Sequence, residues 1–114
     1  MKDDKVYLQH IIESCEFIVR HTKKDPKAFS NNPLVRDATL RNLQTLAESA
    51  SRVSLALKHL HPDVDWKGIA GFRNVLVHDY LGLDLKIVWD VIERDLPVLH
   101  KKIKAILSKL KENS

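Results

Sequence analysis

Apolar side chains return at every third or fourth position along almost the whole chain, and this spacing constrains the fold more than any other feature. Tyr7, Leu8, Ile11, Ile12, Cys15, Ile18 and Val19 form one such series, and Leu43, Leu46, Ala47, Ala50, Val53, Leu57 and Leu60 form a second. A stripe of that period is the buried face of an amphipathic α-helix. No stretch shows the alternation of a half-buried strand, and there is no internal repeat or low-complexity tract. Three glycines and four prolines in 114 residues leave few places to turn, so the elements should be few and long. Short connections force successive helices to run antiparallel. The expectation is an all-α up-and-down bundle of four to five helices, forming one domain over residues 1–114.

Local signals set the boundaries. Asp3 or Asp4 reads as the cap of the first helix. From Lys23 to Asn31 the periodicity lapses, with Phe29 as the only bulky apolar side chain. Asn32 followed by Pro33 reads as the cap and first residue of a second helix, the longest, which His61-Pro62 ends. The alanines and Ser54 along it would let another helix approach closely. Asp65 caps a short third helix with Trp66, Ile69, Phe72 and Leu76 inside. Tyr80 to Leu83 forms a loop around Gly82, and Asp84 caps a fourth helix burying Ile87, Val88, Val91 and Ile92. Pro97 either kinks a single long helix or stands near the start of a fifth capped by Asp95; the break is favoured, and beyond it the apolar face is Leu99, Ile103, Ile106, Leu107 and Leu110.

Composition narrows the function classes. A formal charge of +4 and a pI near 9.3 favour contact with a polyanion without requiring one. Cys15 is alone, cannot form an internal disulfide and reads as core. The opening Met1-Lys2-Asp3-Asp4-Lys5 and the polar Gln9, His10 and Glu13 resemble neither a signal peptide nor a membrane span. A soluble cytoplasmic protein is expected. His10, His21, His59 and His61 have no acidic or cysteine partner at metal-ligand spacing, so no metal or cofactor is expected. Asp37 with Arg41 and Glu48 with Arg52 read as surface ion pairs at i,i+4.

The segment Arg73-Asn74-Val75-Leu76-Val77-His78-Asp79-Tyr80 concentrates the chemistry. Arg73 keeps its charge at any working pH and can hold a phosphate with two parallel bonds. His78 titrates near neutrality and can take or return a proton. Those are the minimum parts for metal-free RNA cleavage, in which the ribose 2′-hydroxyl attacks its own phosphate and leaves a cyclic phosphate end. In a straight helix His78 lies roughly 140° around from Arg73, so the two share a site only where the helix frays near Val77. Val75 and Leu76 are expected to face the core and hold the segment. One histidine is not easily both acid and base, which a symmetric dimer bringing two motifs together would solve. Taken alone, an arginine and a histidine at a helix end more often cap carbonyls or pair with acids.

The order Arg-polar-x-x-x-His-x-Tyr resembles the signature of the HepT-like HEPN family, and the likeness runs along nearly the whole chain. It includes Glu48-Ser49-Ala50, Trp66-Lys67-Gly68-Ile69-Ala70-Gly71-Phe72, Leu83-Asp84-Leu85 and Asp95-Leu96-Pro97. The resemblance implies a homodimeric ribonuclease toxin of a toxin–antitoxin pair, with Arg73 and His78 catalytic and Asn74 supporting. It also implies a partner, a minimal nucleotidyltransferase antitoxin of the MntA type, that adenylylates Tyr80 and so switches the site off. Glu48 is a candidate to orient Arg73 or His78. Lys101, Lys102, Lys104, Lys109 and Lys111 suit the negative end of the last helix and could also guide RNA. The alternative is a non-catalytic helical partner that binds nucleotide beside the transferase.

Overall fold

Helices account for every regular element in the computed structural model, which describes residues 2–113 and, for Lys2 and Tyr80, the backbone alone. The chain runs through α1 (Lys2–Thr22), α2 (Pro26–Asn31), α3 (Pro33–Arg52), α4 (Leu55–Leu60) and α5 (Trp66–His78). A 3₁₀ turn (Tyr80–Gly82) then leads to α6 (Leu85–Asp90), a π-helical turn (Val91–Asp95) and α7 (Leu96–Glu112). The order in space is α5, α3, α1, α7: α1 packs on both α3 and α7, and α5 packs on α3. Leu8, Ile11, Ile18, Leu43, Leu76 and Ile103 meet at the centre and are almost wholly shielded from solvent. Cys15 lies among them, and burial, with Glu16 adding to it, pushes its thiol up to about 12, so it stays a protonated core side chain.

The predicted caps at Asn32, Asp65 and Asp84 are all made. The Asn32 side chain accepts from the backbone N–H groups of Leu34 and Val35, Asp65 from that of Gly68, and Asp84 from that of Lys86. Other expectations need correction. The lapse at 23–31 contains α2, capped by Asp25 and started by Pro26, and its one buried side chain, Phe29, packs on Trp89 with ring centroids 5.6 Å apart. A helix this short carries too little of the apolar repeat to announce itself. At the preceding turn Lys23 and Lys24 both take left-handed backbone angles, φ 52° and 58°.

The second predicted helix is not continuous to His61. It ends at Arg52, and Val53 and Ser54 are extended before Ser54 caps α4 by accepting from the Leu57 N–H. The reason lies fifty residues back. Asp4 does not cap α1; its buried carboxylate accepts from the Ser54 N–H at 2.8 Å and the Ser54 hydroxyl at 2.7 Å. That pairing holds the corner between α3 and α4 open against a stripe that would otherwise continue in register. Asp4→Ala removes the acceptor for both groups, each such bond being worth about 1.5–3 kcal/mol. The variant is expected to melt at least roughly 8 °C lower in a calorimetric scan; an unchanged midpoint would show that the corner holds without Asp4.

Pro97 does not break the last helix, and Asp95 makes no side-chain cap. Helical backbone runs from Leu85 to Glu112, and the strain is taken up by the π turn, where the Leu96 N–H bonds to the Val91 carbonyl five residues back. Proline offers no N–H to the carbonyl four residues before it and its ring crowds that position. Widening the turn just ahead of Pro97 avoids the clash and still buries both Ile92 and Leu96. Ile87, expected inside, is 60% exposed.

Candidate active site

Arg73 is held in place by a neighbouring helix. Its Nε donates to Glu48 Oε2 of α3 at 2.9 Å, while Arg52 Nη2 stands 3.6 Å from the other Glu48 oxygen. Both partners are half-exposed, so the ion pair adds little stability. Its value is orientation: Nε is engaged, and the two terminal guanidinium nitrogens have no other partner among the described residues. One turn further along α3, Gln44 Nε2 donates to the Leu76 carbonyl at 3.3 Å. Two side chains one turn apart on α3 therefore grip the helix that bears the motif. Glu48 was legible from the polar stripe of α3; Gln44 was not singled out, although it lies four residues before Glu48 on the same stripe.

The helix does not fray before His78. It extends through that residue, and Asp79 caps it with its N–H on the Val75 carbonyl. Arg73 and His78 therefore stand on different sides of α5. Arg73 and Val77, four apart, line a groove of about 410 Å³ closed by Tyr7 and His10 of α1 and by Arg41 and Arg52 of α3. His78 does not line it and is exposed. Asn74, four residues before His78, is exposed as well and lies only about 40° away around the helix. Val75 does not face the core: it is 47% exposed and Val77 44%, while Leu76 alone of the three is buried. The side chain of Tyr80 lies outside the described residues. Within one protomer, then, the guanidinium and the imidazole are on one rigid element but not in one pocket.

Comparison with known proteins shows the family of the chain. The chain matches the family described as Ribonuclease HepT-like over residues 11–106, a span that contains both grips on α5 and the whole motif. The chain belongs to the HepT-like family. A protein of Caldanaerobacter subterraneus subsp. tengcongensis, named as a candidate RNase, is 35% identical over 112 residues, covering 97% of this chain and all of its own. One from Methanocaldococcus jannaschii, also named as a candidate RNase, is 31% identical over 92% of this chain and 97% of its own. A protein of Thermococcus cleftensis named as a probable HepT ribonuclease is 28% identical over 92% of this chain and 96% of its own. No solved structure matches the chain. In this HepT-like chain no helix among the described residues is long and apolar enough to cross a membrane.

Proposed function

We propose that the chain is a metal-independent endoribonuclease, the cytoplasmic toxin of a pair whose antitoxin is a minimal nucleotidyltransferase of the MntA type. The observation that carries this reading is the guanidinium of Arg73, held through Nε by Glu48, on the same short helix as an exposed His78 in a HepT-like chain. In the proposed reaction the 2′-oxygen attacks the adjacent phosphorus and the bond to the 5′-oxygen breaks. A histidine accepts the 2′ proton, another group returns one to the leaving oxygen, and Arg73 stabilises charge on the phosphoryl oxygens. The products are a 2′,3′-cyclic phosphate and a 5′-hydroxyl. Asn74 beside His78 would contribute a hydrogen bond to the substrate.

The separation of Arg73 from His78 supports a homodimer, in which Arg73 of one copy and His78 of the other would complete each site. Val75, Val77 and the 99% exposed Leu81 give the motif's surroundings the apolar character that a self-association surface needs. The same separation is what favours the second reading, a non-catalytic nucleotide-binding partner of the transferase. The two part in one assay. Cleavage of RNA that persists in a chelator and yields cyclic phosphate ends supports the nuclease; intact RNA at high concentrations of folded dimer would leave only the second.

Regulation is tested separately. Adenylyl groups on Tyr80 would add bulk and negative charge next to the motif and repel an RNA phosphate. Co-expression with an adjacent minimal nucleotidyltransferase is expected to raise the intact mass by one or more AMP units, mapped to Tyr80, with no gain in Tyr80→Phe. A gain that survives Tyr80→Phe would place the modification elsewhere.

A further inference from the structure

We infer that the groove beside Arg73 is a subsite for single-stranded RNA flanking the bond that is cut. Arg41 and Arg52 hold backbone phosphates there, and Tyr7 with His10 forms the surface on which a base lies. The inference rests on the ribonuclease reading and adds where the rest of the strand goes.

Arg41, Thr45, Glu48 and Arg52 succeed one another at spacings of four, three and four, which keeps them within about 40° of one line along α3. Arg41 and Arg52 are separated by roughly 16 Å of helical rise, so they can serve different phosphates of one strand. Glu48 between them is the groove's one carboxylate, and it is already occupied by Arg73 at 2.9 Å and Arg52 at 3.6 Å. Arg41 is exposed and has no ion pair among the described residues. In this groove three guanidinium groups thus face a single acid already engaged by two of them, an excess of positive charge that suits a polyanion.

The opposite wall has a different character. Tyr7 is half-buried against the core and so presents a fixed ring, and His10 stands one turn further along α1. Aromatic plates accept any base, which fits a strand bound without regard to sequence. Beyond Arg41 and Gln44 the groove continues into a second hollow of about 480 Å³ that reaches Asp37 and Ala38. The result is an open trough along the polar face of α3 with Arg73 on its α5 wall. Its walls are side chains that meet splayed bases and phosphates, the way single strands rather than duplexes are held.

The test uses a short 2′-O-methyl oligoribonucleotide, which has no free 2′-hydroxyl to attack and so reports binding alone, followed by fluorescence anisotropy across a salt series. Arg41→Gln and Arg52→Gln are each expected to bind roughly fivefold to tenfold more weakly at low salt, and to lower the salt slope by about 0.7. Lys86→Gln, exposed on α6 and lining neither hollow, is expected to bind as the unaltered protein does. Wild-type affinity and slope in folded Arg41→Gln would overturn the subsite. An equal loss in Lys86→Gln would do the same, because it would show diffuse attraction to a basic surface. So would an Arg41-dependent grip on poly-glutamate with RNA binding unchanged, which would make the trough a dock for an acidic protein. On cleavable RNA, Arg41→Gln should raise KM and leave kcat in place. Should the unaltered protein bind the probe through Arg41 yet cut nothing, the nuclease reading fails and the RNA subsite stands.

Discussion

Replacing His78 by alanine is expected to slow RNA cleavage roughly a hundredfold to ten-thousandfold, the range by which a positioned acid–base group accelerates proton transfer. The melting temperature should hold, because the side chain is exposed at the last residue of α5 and the helix closes on the backbone of Asp79 rather than on the imidazole. That combination separates a chemical role from a structural one. Binding of the uncuttable 2′-O-methyl strand should also be unchanged, since His78 does not line the groove beside Arg73. If His78→Ala cuts as fast as the unaltered protein, the proton transfer lies elsewhere and His10, on the groove wall, becomes the next imidazole to test.

Leu76→Ala is expected to cost about 2–5 kcal/mol, seen as a lower midpoint in urea with the slope unchanged. Leu76 is fully buried and is the only residue of α5 buried to that degree. Trp66, Ile69 and Phe72, the rest of the helix's apolar face, remain partly exposed, and Ile69 and Phe72 border an apolar cleft of about 500 Å³ between α5 and the π turn. Leu76 is thus the deepest anchor of this helix in the core, with Trp66, Ile69 and Phe72 packed more shallowly against it. A loss well under 1 kcal/mol would mean that the cleft side carries more of the packing than its exposure implies.

The pattern of what could be read in advance follows from the range of each interaction. Caps at Asn32, Asp65 and Asp84 join a side chain to an N–H two or three residues on, so they are written locally and were found. The corner at Ser54 depends on Asp4, and nothing near residue 54 reveals it. The π turn depends on a contest between the bulk of Pro97 and the burial of Ile92 and Leu96, which is decided only when the helix is packed. Within the site, the motif and Glu48 were legible, the first as a cluster of polar groups and the second as part of a stripe. Which way Val75 faced was not, because three apolar residues in a row occupy more of a helix's circumference than one neighbour can cover. The α1 wall of the groove was silent as well: Tyr7 looks like core and His10 like surface until α3 lies beside them.

The two bonds from Glu48 and Gln44 have a bearing on how such a site could be moved. A graft of residues 73–80 onto another helical scaffold would carry the proposed reactive groups but arrive without a splint, its guanidinium free to swing and its last helical turn unheld. The transferable unit is the pair α3 and α5, with Gln44 and Glu48 one turn apart on the first serving as a jig for the second. Any redesign that alters the crossing of those two helices loosens the hold on Arg73 and on the last turn of α5 without touching residues 73–80.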